Sequence, residues 1–138
     1  MTATEISAPT CTNVRVDLGR RAEAARGVPN TMALFDTHFP RYPILPGVLV
    51  LQFAADVAAL AVPDAPDGTR PVRATRVRWR QPVRPGDLMT VSAELLHDDG
   101  VVADFRARVE VDGVAVADIQ HLTIARRSPL ASSPEVVR

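Results

Sequence analysis

The feature that most constrains this chain is the stretch GVLVLQFAADVAALAV, which runs from residue 47 to residue 62 between Pro46 and Pro63. It is rich in alanine and leucine and contains no turn residues after its first glycine, so it predicts a helix of about four turns. Nearly every face of this helix is apolar, so other structure must cover it all round. The stretch is shorter than the ~20 residues that span a bilayer, and no membrane span is predicted.

Most of the remaining sequence alternates between apolar and polar residues. This period of two predicts a half-buried strand over residues 101–111, a hairpin turn at Asp112-Gly113, and a further strand from 114 to about 125. Another strand is predicted over 88–97, so residues 88–125 form a three-stranded antiparallel meander, and a short strand covers 14–18. One buried helix and several antiparallel strands predict an α+β fold in which the sheet wraps around the helix.

The length and the ends of the chain predict a single domain. The 138 residues leave no room for a second core, and the polar ends predict mobile tails at 1–12 and 126–138 around a domain at 13–125.

A net charge of zero gives no indication of a nucleic-acid or membrane partner. The single cysteine, Cys11, excludes an intrachain disulfide, and the N-terminus lacks the features of a signal peptide. We therefore expect a cytoplasmic protein.

Two polar residues, Gln52 and Asp56, interrupt the apolar helix. They are four positions apart and therefore lie on one face, about 6 Å apart along the axis. A buried carboxylate without partners is costly, so Asp56 is expected to be paired, neutral or directed at a cavity. The alternative is that the pair only meets solvent through a gap in the sheet.

Two motifs resemble those of a known enzyme family. HFP at 38–40 followed by PILPGVL at 43–49 resembles the H-F-P-x-x-P-x-x-P-G-V-L segment of the hot-dog-fold 3-hydroxyacyl-acyl carrier protein dehydratases. RWRQPVRPGD at 78–87 is similar to the family's R-F-x-x-P-V-x-P-G-D strand and turn, which thioesterases and hydratases share. The resemblance covers about residues 14–125 and implies a hot-dog fold, in which two subunits join their sheets edge to edge.

The resemblance also implies a site at the dimer interface and a role for particular residues. His38 would be the catalytic histidine, since one imidazole can move a proton from carbon to oxygen near neutral pH. The N–H groups of Gly47 and Val48, at the start of the helix, would bind the thioester oxygen. The substrate tunnel would include the following residues: Phe39, Tyr42 and Pro46. The acyl group would arrive on the phosphopantetheine of an acyl carrier protein, and neither a metal nor an organic cofactor is implied.

The sequence departs from the family at the catalytic acid. The family carries Glu or Asp three residues after Val-Leu, where this chain has Gln52, and usually Gln four residues later, where this chain has Asp56. Three interpretations remain open. Asp56 replaces the acid in an active dehydratase, which we favour, or the protein is an acyl thioesterase in which Gln52 orients a water or the substrate, or it is one subunit of a heterodimer whose partner supplies the acid. The swapped pair also favours a specialised polyketide or fatty-acyl pathway.

Arginines are concentrated before and within the second motif. Arg76, Arg78 and Arg80 alternate along one predicted strand, and Arg84 follows in the turn. A solvated outer face would explain them, but arginine also suits the carboxylates and phosphate of an acyl carrier protein. Nucleic acid is not expected, because no aromatic platform accompanies the arginines.

Overall fold

A computed structural model describes residues 11–29 and 44–128 of the chain. It contains one helix, α1 (Gly47–Ala59), and six strands: β1 (Thr12–Asp17), β2 (Arg21–Gly27), β3 (Thr69–Trp79), β4 (Leu88–Asp98), β5 (Val102–Val111) and β6 (Val114–Arg126). The predicted tails fall almost entirely on residues outside the described ranges. The sheet itself begins at Thr12 and ends at Arg126.

The six strands form one antiparallel sheet in the order β1-β2-β4-β5-β6-β3. The predicted meander is confirmed as β4, β5 and β6, with Asp112 and Gly113 at positive φ angles of 53° and 76° in the turn between β5 and β6. These angles suit a tight hairpin turn, which explains why the sequence places Asp-Gly there. β3 and β1 are the two edges, so the arginine-rich strand has a free side.

Helix α1 lies across the sheet and contacts every strand except β1. Its buried side contributes Val50, Phe53 and Val57 to the core, where they meet Phe105 and Ile119 from β5 and β6. The strands supply many small side chains to this contact. We call this group the alanine floor: Ala22, Ala24, Ala93, Ala103, Ala107 and Ala117. Small residues on the sheet allow the helix backbone to approach it closely.

The prediction that the helix is covered all round is wrong for the described part of a single chain. Val48 is 68% exposed, and Gln52 and Asp56 are also exposed. The three residues are four positions apart and form one row, which we call the helix stripe. The sheet covers only the opposite side of α1, so the stripe is open on the surface.

One strand, β2, was absent from the sequence-based prediction. Its sequence, RAEAARG, has no β-branched or aromatic residue, and alanine has low strand propensity. It becomes a strand because it pairs with β4 from Arg21 opposite Glu94 to Gly27 opposite Leu88. Tertiary pairing and burial of its alanines therefore outweigh local preference.

Candidate active site

The start of α1 presents backbone N–H groups that the helix itself does not use. Pro46 is the N-cap residue and makes no side-chain capping hydrogen bond. Its carbonyl accepts a hydrogen bond from the N–H of Leu49 at 3.0 Å. In an α-helix the N–H groups of the first residues have no intrahelical acceptor, so those of Gly47 and Val48 are available to a ligand, with the positive end of the helix dipole behind them.

An apolar pocket of about 550 Å³ opens beside this helix start. Its walls come from the segment before α1, the first turn of α1, the end of β3 and the loop that follows β3. The lining residues include Leu45, Gly47, Val48, Leu51, Trp79, Arg80 and Val83. The N–H of Leu45 donates a 2.7 Å hydrogen bond to the carbonyl of Val83, which fixes two walls to each other. Pro46 is not among the lining residues, although the sequence placed it in the substrate tunnel.

Asp56 lies on the helix stripe beside an arginine that the sequence analysis missed. Oδ2 of Asp56 is 3.8 Å from Nη2 of Arg26 in β2, and the Asp56 side chain is 50% exposed. Partial burial raises the pKa of Asp56 above its usual value, and the positive charge of Arg26 lowers it only in part. The carboxyl group therefore retains its proton to a higher pH than an exposed aspartate.

Arg26 itself is held by contacts other than the ion pair. Its guanidinium carbon is 4.4 Å from the centre of the Phe53 ring, within the range of a cation–π contact. Nη2 also lies 3.5 Å from Sγ of Cys11, and within the described part of the chain Nε is buried without a hydrogen-bond partner. No motif marks Arg26, because its position opposite Asp56 depends on β2, which lacks a strand signature.

The outer face of the sheet carries a second, charged groove of about 940 Å³. Arg76, Arg78 and Arg80 all line it, as the strand pattern predicted, whereas Arg84 lies in the turn, where its backbone N–H donates to Oδ2 of Asp87 at 2.8 Å. The other charged residues that line the groove are Arg21, Glu23, Glu94, Arg106, Arg108 and Asp118. Arg80 also lines the apolar pocket.

Several of these charges neutralise each other. Asp118 accepts hydrogen bonds from Nε of Arg80 at 2.6 Å and from Nε of Arg108 at 2.9 Å, and these bonds, above all that from Arg108, lower its pKa. Arg106 donates to Glu94 at 2.8 Å. Arg76 and Arg78 form no ion pair with a described residue, so the end of the groove along β3 retains positive charge.

The structure brings together only some of the predicted site residues. Gly47 and Val48 line the apolar pocket, while Gln52 and Asp56 follow on the same helix but line neither cavity. His38, Phe39 and Tyr42 lie outside the described residues, so their predicted roles stay predictions. Within residues 11–29 and 44–128, no group of three or more His, Cys, Asp or Glu side chains is arranged to hold a metal ion. The same ranges contain no helix that is long and apolar enough to cross a membrane.

In the described part of the chain, one helix packed on a six-stranded antiparallel sheet, with an apolar pocket at the helix start, is the arrangement of the hot-dog fold. Among solved structures, the chain resembles the dehydratase heterocomplex ApeI:P from Xenorhabdus doucetiae, with a TM-score of 0.66 and 18% identity over 86% of this chain and 99% of that one. It also resembles the uncharacterized protein PH1136 from Pyrococcus horikoshii, with a TM-score of 0.70 and 17% identity over 90% of this chain and 89% of that one. These similarities confirm the predicted fold.

Sequence comparisons identify the family. The family model for the ApeI dehydratase matches residues 15–119. The 3-hydroxyacyl-[acyl-carrier-protein] dehydratase FabZ of Albidiferax ferrireducens is 34% identical in an alignment of 119 positions that covers 81% of this chain and 79% of the relative. The FabZ of Bacillus subtilis is 31% identical in an alignment of 114 positions that covers 80% of each chain. The chain therefore belongs to the ApeI-like dehydratase family, and the resemblance noted in the sequence is confirmed.

Proposed function

We propose that this protein removes water from a (3R)-3-hydroxyacyl thioester on an acyl carrier protein and forms the trans-2-enoyl thioester. The observation that carries this proposal is the match to a dehydratase family over residues 15–119. The helix start supports it, because unused N–H groups lie beside an apolar pocket, as an acyl thioester requires.

The reaction assigns a task to each group. His38 takes the proton from C2, and the electron pair left on C2 becomes the C2–C3 double bond as the C3–O bond breaks. The hydroxyl leaves as water with a proton from an acid. The N–H groups of Gly47 and Val48 stabilise the negative charge that develops on the thioester oxygen after the C2 proton is removed and before the C3–O bond breaks. The chemistry uses no metal or organic cofactor, and phosphopantetheine belongs to the substrate.

Asp56 is the proposed acid. Its raised pKa favours the protonated form that an acid needs, and its partly exposed position on the helix stripe leaves it accessible. Gln52, one turn earlier, would orient the substrate hydroxyl, because an amide can donate a hydrogen bond but cannot give up a proton. The exchange of acid and amide along the helix also supports a specialised polyketide or fatty-acyl pathway. A cytoplasmic location is proposed separately, from the single cysteine and the N-terminal sequence.

The charged groove is the proposed docking surface for the carrier protein. Arg76 and Arg78 have no ion-pair partner among the described residues, and Arg80 lines both the groove and the apolar pocket, so an acidic carrier bound in the groove could deliver its arm past Arg80. Arg84 is assigned a lesser part, since it lies outside the groove. Charge reversal in Arg76→Glu and Arg78→Glu should raise KM for the carrier-bound substrate and leave KM for a pantetheine thioester unchanged, because neither residue lines the apolar pocket. Equal effects on both substrates would contradict this assignment.

A second candidate is a dehydratase that needs a partner subunit of the same fold. One solved structure of similar fold is a dehydratase heterocomplex. In the single chain the helix stripe is open, and the edge strand β3 has a free side that a homologous or identical subunit could join. In this case His38 would act with an acid from the other subunit.

Mass analysis of the product separates these functions. The purified chain is incubated with a 3-hydroxyacyl thioester on an acyl carrier protein. Loss of water from the carrier-bound acyl group supports dehydration by the chain alone, and release of the free acid supports the thioesterase interpretation. Reaction only after a second hot-dog subunit is added supports the heterodimer. If the substrate stays intact with such partners present, the dehydratase proposal is wrong.

A further inference from the structure

Trp79 is one of the residues that line the apolar pocket. It is the last residue of the edge strand β3 and is paired with Ala117 of β6, so its backbone is fixed. Its side chain is nevertheless 49% exposed. A half-exposed indole on a rigid strand, in a concave apolar surface, is typical of a residue that contacts a ligand.

The indole ring lies directly against the first residue of α1. A Cβ atom added to Gly47 would be 2.9 Å from Cζ2 and 3.0 Å from Cη2 of Trp79, which is closer than side chains normally approach. Glycine is therefore required for the ring to lie in this position. The contact places one edge of the ring beside the N–H groups that would bind the thioester oxygen.

The side chain of Trp79 differs in kind from the other side chains that line the pocket. Trp79 is the only aromatic residue among the described residues that line this pocket. Its neighbours on the wall are aliphatic, apart from Gly47, the polar Gln81 and Arg80, whose Nε is bonded to Asp118. An acyl group whose carbonyl is bound by the N–H groups of Gly47 and Val48 would therefore lie next to the indole.

We propose that Trp79 is a specificity-determining residue that contacts the acyl thioester, with its indole packed along the first carbons of the acyl chain. This inference rests on the proposed function, because it assigns the pocket to the same substrate. It adds that the identity of this one side chain sets which acyl groups the pocket accepts.

The chain offers a direct test because Trp79 is its single tryptophan. Fluorescence excited selectively in tryptophan therefore reports on this ring alone in the full-length protein. The probe is a 3-hydroxyacyl pantetheine amide, in which nitrogen replaces the thioester sulfur so that the ligand resists reaction. A saturable change in Trp79 emission is expected, and its dependence on acyl length should follow the substrate preference measured by turnover.

A matched control moves the single tryptophan away from the pocket. Val101 is 66% exposed in the turn between β4 and β5 and lines neither cavity. The double variant Trp79→Phe, Val101→Trp keeps one tryptophan per chain and an aromatic ring at position 79. Its emission should not respond to the amide. A response equal to that of the unmodified protein would mean that the signal does not come from contact at Trp79.

Kinetics separate a contact with substrate from a structural role. Trp79→Ala should raise KM for the preferred acyl substrate about tenfold and change the order of preference among acyl lengths, with a smaller effect on kcat. Trp79→Phe should restore most of the affinity. A uniform fall in kcat for all acyl lengths with unchanged KM would indicate a structural role and overturn the proposal.

The outcomes also separate this inference from the proposed function. A saturable change in Trp79 emission without loss of water in the turnover assay would support the binding role of Trp79 and contradict dehydration by the chain alone. Turnover with no fluorescence response, and with unchanged acyl preference in Trp79→Ala, would support the dehydratase and contradict the inference.

Discussion

Two aspartates of this protein lie beside an arginine, yet their environments are opposite. Asp98 and Arg126 form a close pair, with Nη1 and Nη2 of Arg126 2.8 and 2.7 Å from the two carboxylate oxygens and side chains only 18% and 12% exposed. Asp56 and Arg26 approach to only 3.8 Å. Hydrogen bonds from Arg126 lower the pKa of Asp98, whereas burial raises the pKa of Asp56.

The difference indicates different roles for the two pairs. Arg126 also donates from Nε and Nη2 to the carbonyl of Pro63, so its pair with Asp98 joins the ends of β4 and β6 to the segment after α1. Asp56 is partly desolvated and receives no comparable set of hydrogen bonds from residues 11–29 and 44–128. A carboxyl group that is partly shielded from solvent and receives few hydrogen bonds is better suited to proton transfer than to stabilising the fold.

The largest expected effect is the loss of activity in Asp56→Asn. If Asp56 is the acid, kcat for water loss should fall by about 10²–10⁴-fold, because the amide cannot supply the proton. Single-turnover assays by mass measure the rate. Asp98→Asn is the matched control and should retain kcat while the protein is folded. Similar kcat values in Asp56→Asn and in the unmodified protein would exclude Asp56 as the acid.

Next in size is the loss of stability in Arg126→Gln. Removing one partner of a largely buried pair should lower the free energy of unfolding by about 3 kcal/mol, measured by urea denaturation at neutral pH. Because the native pKa of Asp98 lies below its unfolded value, this contribution is complete above about pH 4 and is lost as pH falls through the native pKa. The difference between variant and unmodified protein should therefore shrink in acid. If the difference in unfolding free energy stays constant from neutral pH into the acid range, the stabilisation does not come from the ionised form of Asp98.

A smaller effect is expected for Arg26→Gln, which should alter the pH dependence of activity. The positive charge of Arg26 lowers the pKa of Asp56, so its removal should raise that pKa further. An acid must be protonated to act, so the alkaline limb of the kcat profile should move to higher pH. Movement to lower pH, or no movement in a folded variant, would show that this pair does not control catalysis.

The smallest effect is expected for Arg106→Gln on the outer face. Arg106 and Glu94 are 62% and 60% exposed, so solvent screens their 2.8 Å contact, and the free energy of unfolding should change by less than about 1 kcal/mol. The variant is also the control for Arg26→Gln, since it removes an arginine remote from Asp56 and should not move the pH profile. A loss as large as that of Arg126→Gln would contradict the contrast between buried and exposed pairs.

The sequence was sufficient for the parts of the fold that local signals determine. Two-fold alternation and the Asp112-Gly113 turn predict the β4–β6 meander, and the prolines around the apolar stretch predict α1. β2 and the contact between Arg26 and Asp56 could not be predicted, because both depend on which strand pairs with β4. The sequence placed Gln52 and Asp56 on one helix face, but it could not show that the sheet leaves that face open.

The alanine floor has a consequence for how this enzyme can change. Alanine is already the smallest side chain with a Cβ, so substitutions there can hardly remove atoms and will almost always enlarge the contact with α1. We expect an added methyl group beneath the helix to push α1 away from the sheet, which would move Gly47, Gln52 and Asp56. Residues that never touch substrate can thus alter the width of the acyl pocket. Adaptation to a different acyl length would therefore change residues of the alanine floor as well as residues that line the pocket.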